Sequence, residues 1–314
     1  MLENDLSQRP ERHPVANLII ILGLVGLGFV FVGPVVGYFA AMPFYNGSGE
    51  ELFAAIQDPI NHPEVKVPIY IIQGFATLIG LIVVPALFMA RSGRAVAEFF
   101  RNQKTEWVPI LITVFVVVIF MAVNSVFVEW NSNFKFPDFE LARKFEAWAR
   151  EKEDTAAELT EFLTRFKSQG ELLIAIIVIA VLPAIGEEIV FRGLIQNELH
   201  RATKNVHASV WIAAVLFSAI HLQFFGFVPR VLLGALFGYL YYWSGNLTLA
   251  ILAHFVNNGV SVMAMYFYQQ GAFEYDMEST ESAPITVVII CTLMTAALLF
   301  YFHRYFQHRK PSIS

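Results

Sequence analysis

The chain alternates long apolar stretches with short polar connections. A window of about 19 residues finds apolar runs at 16–42, 67–90, 107–128, 171–194, 211–227, 229–243, 247–268 and 284–303. About 20 apolar residues rising 1.5 Å each cross a hydrocarbon layer, so runs of this kind predict membrane helices. The pattern predicts an all-α polytopic membrane protein with about eight transmembrane helices. The fifth and sixth runs are short and separated by little more than Phe227-Val228-Pro229, which leaves two spans, one bent hairpin or a re-entrant pair open. The connection 129–170 has a different pattern. Leu141, Phe145 and Trp148, then Leu159, Leu163 and Phe166, recur at helical spacing among Lys and Glu. This predicts one or two amphipathic helices lying on the membrane or packed on the bundle, chiefly as an anchor. A weaker pattern of the same kind runs over 94–101. No repeat or low-complexity tract stands out. The chain reads as one integral membrane domain, 1–314, with a tail at 1–15, the 129–170 connection, the site-bearing helices at 171–260 and a tail at 304–314.

Composition agrees. Of 314 residues, 56% are hydrophobic and only 15% charged, against about 25% charged in a soluble domain. The expected environment is the lipid bilayer. A net charge of -5 without a basic stripe gives no reason to expect nucleic acid as a partner. The single cysteine, Cys291, permits no intrachain disulfide. The polar N-terminus lacks the short apolar region and cleavage site of a signal peptide. Basic residues concentrate on one side of the proposed spans: Arg9 and Arg12, then Arg91, Arg94, Arg101 and Lys104, then Arg201 and Lys204, then Arg304, Arg309 and Lys310. By the positive-inside rule both termini are expected in the cytoplasm, and a compact chain of this kind is expected in a plasma membrane, more specifically a prokaryotic inner membrane. The exception is 129–170 with seven basic residues, discounted because long loops translocate with less regard to charge.

Ionisable residues within a span are costly and rare unless they do something. In this chain they cluster. The fourth run holds Glu187, Glu188 and Arg192, the fifth His221, and the seventh His254 with Asn257 and Asn258. Glu187 and His221 are each seventeen residues from Lys204, so an antiparallel hairpin brings them level. Measured from the expected membrane edges, Glu187, His221 and His254 all lie roughly 12–15 Å deep. Glu188 and Arg192, Phe217 and His221, and His254 and Asn258 are pairs at i and i+4, each sharing a helix face. Asn257 faces about 100° away from Asn258 and reads as a packing or capping residue. Gly186, Gly193 and Gly259 are expected to permit close helix approach.

The order Glu187-Glu188-x-x-x-Arg192, Phe217-x-x-x-His221 and His254-x-x-x-Asn258 resembles the three-motif signature of the CPBP family, which groups type II CAAX prenyl endopeptidases with the Abi bacteriocin-processing and immunity proteins. The resemblance covers about 170–260. It implies an eight-helix intramembrane endopeptidase, open to the cytosolic face, acting on a membrane-associated or lipidated peptide or protein. By motif position it implies that Glu187 and His221 activate the attacking water while His254 and Asn258 bind the oxyanion.

The side chains suit that chemistry on their own terms. Amide hydrolysis needs a deprotonated water and donors for the tetrahedral oxyanion. Arg192 neutralises Glu188 and leaves Glu187 for the water, so Glu188 and Arg192 belong to the architecture of the site. A neutral His254 donates from one ring nitrogen, and Asn258 is a fixed donor. Alternatively Glu187, His221 and His254 hold a divalent metal, zinc above all, with one position open. Two other functional classes stand beside the peptidase. One is a proton- or cation-coupled transporter using the same residues as a relay, disfavoured by the lack of a repeat. The other is a non-catalytic immunity or scaffold protein.

Overall fold

A computed structural model of the chain describes residues 12–92, 106–272 and 280–307. The expected amphipathic stretch at 94–101 and most of both tails lie outside the described residues. Ten helices are described, among them eight in the regions of the eight apolar runs: α1 (Pro14–Phe44), α2 (Gly49–Gln57), α3 (Pro63–Arg91), α4 (Trp107–Ser132), α5 (Glu140–Thr164), α6 (Gln169–Thr203), α7 (Val206–Ala219), α8 (Phe227–Ser244), α9 (Leu247–Gln269) and α10 (Ile285–Gln307). Described residues contain no strand. Six helices, α1, α3, α4, α6, α9 and α10, are long and apolar enough to span a membrane. Their outer faces leave large apolar residues such as Phe31, Phe39, Phe115, Leu293 and Phe300 exposed, as lipid contact requires. The chain is an all-α, integral membrane protein.

Local chemistry sets the ends. Ser48 and Glu51 form a reciprocal capping box at the start of α2. Asn205 and Asn246 cap α7 and α9 with their side-chain oxygens. Just before each cap, Lys204 and Gly245 take left-handed backbone at φ 56° and 63°, so α6 and α7, and α8 and α9, reverse direction within two residues. Gly186 lets α6 touch α3, since a Cβ there would lie 2.7 Å from Leu81 Cβ. Gly259 does not play the expected part: a Cβ there would meet only Phe255 of its own helix.

The fifth run does not continue to residue 227. The α7 helix stops at Ala219, and residues 220–226 form an irregular loop before α8. Leu222 at φ 55° reverses the backbone there, and Gly226 and Pro229 prevent α7 from running into α8. α7 and α8 are accordingly the two short members of the set. His221 lies on this loop rather than within a helix.

Of the one or two amphipathic helices expected in 129–170, one is formed, α5. Its C-terminal end is pinned to the bundle: the Tyr70 hydroxyl donates to Leu163 O, Lys66 Nζ donates to Arg165 O and to Glu171 at 2.7 Å, and Gln269 Nε2 donates to Thr164 O at 2.7 Å. Towards its N-terminal end Leu141 is exposed and Phe145 packs against Phe136 and Phe224. Following the chain, one end of the bundle carries α2, α5 and the α7–α8 loop. The opposite end carries the turns at Lys204 and Gly245 together with Pro14 and Gln307.

Candidate active site

The polar residues of α6, α7–α8 and α9 meet. Glu187, Phe217, His221, His254, Asn257 and Asn258 line one cavity of roughly 320 Å³, closed also by Asn124 and Val128 of α4 and by Arg230, Leu233 and Phe237 of α8. Most of this lining comes from the last turns of α4, the α7–α8 loop and the first turns of α8. The cavity therefore sits towards the α5 end of the bundle.

Glu188 and Arg192 are fully buried and lie behind the lining residues rather than on the cavity surface. Arg192 Nη1 donates to Glu188 Oε1 at 2.6 Å and Nη2 donates to the Gly234 carbonyl at 2.8 Å. The guanidinium lies against the rings of Phe217 and Phe237, 4.8 and 5.4 Å from their centroids. A buried charge of this kind is tolerated when paired and hydrogen-bonded, and Arg192 meets both conditions, while Glu188 Oε2 stays without a partner. Ile189–Ile195, which includes Arg192, is wound as π-helix, a form frequent at functional sites.

Glu188 Oε1 also lies 2.8 Å from His254 Nδ1, and His254 Nε2 lies 4.0 Å from Glu187 Oε2. The imidazole is stacked on Phe237 at 5.3 Å and meets Phe217 edge-on. This contact changes the chemistry expected of His254. An ionised carboxylate only accepts, so Nδ1 carries the hydrogen towards Glu188. A neutral His254 then has no hydrogen left on the nitrogen nearest Glu187. Donation from Nε2 requires the imidazolium.

His221 Nδ1 faces the Phe217 carbonyl at 2.8 Å. A hydrogen on Nδ1 satisfies that carbonyl and leaves Nε2 as a bare acceptor. The loop that carries it is tied from two sides. Asn131, the buried end of α4, donates to Phe224 O at 3.1 Å and accepts from Val228 N at 2.8 Å. Glu153 of α5 accepts from Phe225 N at 3.2 Å. Asn258 Nδ2 donates to the Ile179 carbonyl at 3.1 Å, within a π-helical stretch of α6, and its Oδ1 accepts from Asn257 Nδ2 at 3.1 Å. One Asn258 N–H is left for a ligand. Asn257 is not turned away from the site as its helical position suggested, for it lines the cavity and bonds Asn258.

Among the described residues no three His, Cys, Asp or Glu side chains come together as a metal-ligand set. Glu187 Oε2 and His254 Nε2, at 4.0 Å, stand wider than about 3.3 Å expected for two ligands of tetrahedral zinc at 2.0–2.1 Å. The residues as placed do not form a ready metal centre.

Two lining residues, Arg230 and Asn124, and one that holds the loop, Glu153, escaped the sequence pattern. Arg230 stands two places into the sixth apolar run, close enough to its edge to pass for a loop residue, although a charge inside an apolar run is itself a signal. Asn124 is uncharged and lies mid-run, buried, with an Oδ1 that has no partner. Glu153 reaches the loop from a helix whose charges look like a solvated face.

Residues 169–260 match the family model described as type II CAAX prenyl endopeptidase Rce1-like. The resemblance carried by the three motifs is borne out over that stretch. A Bacillus subtilis (strain 168) protein described as "Uncharacterized protein YpbD" is 30% identical over 96 residues, covering 29% of this chain and 46% of the relative. The chain thus matches less than half the length of that relative. No solved structure matches.

Proposed function

We propose that this chain is an intramembrane endopeptidase that hydrolyses a peptide bond of a membrane-associated or lipidated peptide or protein, with Glu187, His221, His254 and Asn258 as its catalytic residues. The observation that carries the reading is that these four side chains, supplied by α6, the α7–α8 loop and α9, line one cavity. Its Rce1-like stretch contains all of them.

Glu187 is the carboxylate left free when Arg192 and His254 engage Glu188, so it takes the proton of the attacking water. His221, with Nε2 as a bare acceptor, helps orient that water and draws on its second hydrogen. As the water oxygen bonds to the scissile carbonyl carbon, the carbonyl π electrons move to oxygen. His254 Nε2–H and the free Asn258 N–H stabilise that oxyanion. When the tetrahedral intermediate collapses, the proton held by Glu187 passes to the leaving amine. No step is routed through a metal. A prenyl group on the substrate is a further proposal, resting on the family description alone.

Charge distribution favours both termini in the cytoplasm of a plasma membrane. That orientation places the α5 end, and the cavity with it, on the opposite side from the cytosolic opening implied by the family resemblance. A transporter reading uses the same residues, but nothing among them favours it.

The test is single substitution of Glu187→Gln, His221→Ala and Asn258→Ala, with cleavage of membrane-protein-derived peptides measured beside thermal unfolding in detergent. Expected are losses of about 10²–10³ in kcat for Asn258→Ala and larger ones for the other two, with unfolding unchanged. Full turnover by Glu187→Gln ends the proposal.

A further inference from the structure

The cavity contains a cation that the proposed hydrolysis does not use. Arg230 lines the cavity with Glu187, His221 and His254. It differs from Arg192 in its bonding. Arg192 is paired with a carboxylate and a carbonyl. Arg230 Nη2 donates to the Gln223 side-chain oxygen at 2.8 Å, while its Nη1 is buried and has no hydrogen-bond partner. Glu153 and Glu187 are near enough for their charges to act on it, and its own charge acts on His221. Yet it forms no ion pair with either carboxylate among the described residues.

The placement is built. Gln223 is itself held by Glu153, Nε2 to Oε1 at 3.4 Å. Gly226 makes room: a Cβ there would stand 3.0 Å from Nη2. Leaving a donor on a buried guanidinium unsatisfied is costly, and a charged group raises the cost. A guanidinium with an unsatisfied N–H is also the side chain best shaped to take a carboxylate through two parallel hydrogen bonds, once Gln223 releases Nη2.

We propose that Arg230 is a specificity residue that binds a carboxylate of the peptide substrate and so fixes which bond reaches Glu187. The inference rests on the endopeptidase reading above. The carboxylate belongs to the peptide's C-terminus or to an Asp or Glu side chain, and matched peptides separate the two.

The test uses full-length protein in detergent and three peptides of one sequence: a free C-terminal acid, its amide, and the amide with an added Asp. For wild type, kcat/KM is expected to be about tenfold or more higher for a carboxylate-bearing peptide than for the neutral amide. Arg230→Gln is expected to erase that difference, bringing kcat/KM for the carboxylate-bearing peptide down to that for the amide. Preference for the free acid assigns the terminal carboxylate, and preference for the Asp peptide assigns the side chain. Equal rates on all three peptides with wild type overturn the proposal. So does an equal loss on all three with Arg230→Gln, which marks a structural arginine. If wild type cuts none of them, the endopeptidase reading fails separately, and fluorescence anisotropy with Glu187→Gln protein decides the role of Arg230. Tighter binding of a carboxylate-bearing peptide than of the neutral amide, lost on adding Arg230→Gln, supports it; equal binding of all three overturns it.

Discussion

Glu188 Oε1 receives Arg192 Nη1 at 2.6 Å and His254 Nδ1 at 2.8 Å, so one buried oxygen joins the arginine behind the site to its imidazole. Two variants separate these duties. Glu188→Ala strips Arg192 of its partner and leaves an uncompensated buried charge, a loss of about 3–5 kcal/mol. Glu188→Gln keeps an acceptor for Arg192 and His254 but gives up the carboxylate charge that pairs with Arg192. It is expected to fold with a modest drop in melting temperature and to lose about 10²-fold or more in kcat. Thermal unfolding in detergent beside peptide turnover checks both, and wild-type unfolding by Glu188→Ala contradicts the pairing.

Asn131 acts at a distance. It is buried at the end of α4 and ties both Phe224 O and Val228 N. Asn131→Ala removes both bonds to the loop that presents His221. Misplacing a reacting group by about 1 Å costs on the order of 10²-fold, so a loss of that order in kcat is expected with KM little changed. Asn131→Asp keeps the acceptor for Val228 N and is expected to fall between. An unchanged kcat in Asn131→Ala detaches the loop's position from turnover.

How much of this was legible in the sequence follows from which forces act locally. The membrane helices and the three motifs were readable because apolar runs and isolated charges within them have no other stable home. The level placement of Glu187 and His221 followed from counting back to Lys204. The end of α7 at Ala219 was not readable, because Ile220 and Leu222 flank His221 with side chains as apolar as a helix interior and the break depends on the left-handed Leu222 backbone. Nor was the His254–Glu188 contact, which joins α9 to α6 across 66 positions and engages Nδ1 of the imidazole. Arg230 was hidden by its place at the edge of a run, and the contact of Glu153 with the loop is purely tertiary.

Glu153 lies on α5, outside the spans, and gives the loop a pH dependence. Burial pushes its carboxyl above the ordinary 4.5, while the Phe225 N–H and the Arg230 charge pull it partly back. The folded state therefore holds this proton more tightly than the unfolded chain does. Its stabilising contribution is present below the ordinary value and is lost as pH rises through the raised one. Glu153→Gln lacks that proton. Melting temperatures of the two proteins, scanned upward from pH 4.5, are expected to shift in favour of the Gln variant, and parallel profiles contradict the assignment.

Water activation by side chains alone predicts the response to metal removal. Protein purified, treated with a strong chelator and dialysed is expected to keep most of its peptide turnover. Metal analysis of wild type and His221→Ala is expected to show no difference in zinc content. Abolition of turnover by the chelator, with recovery on adding zinc, would show that the pocket rearranges to gather Glu187, His221 and His254 around an ion.

Membrane orientation decides from which side substrate arrives, because the cavity lies towards the α5 end. The positive-inside rule weighs the clusters at 91–104, 201–204 and 304–310 over the long 129–170 connection. It puts α5 outside the cytoplasm. In a Cys291→Ser background, Lys152→Cys on α5 is expected to react with a membrane-impermeant maleimide in intact cells. Arg304→Cys near the end of α10 is expected to react only after permeabilisation. The opposite labelling pattern would place α5 and the cavity on the cytosolic side and mean that the seven basic residues of 129–170 outweigh the rest in setting the topology. Substrates would then be cut where newly made or lipidated cytosolic tails reach the membrane.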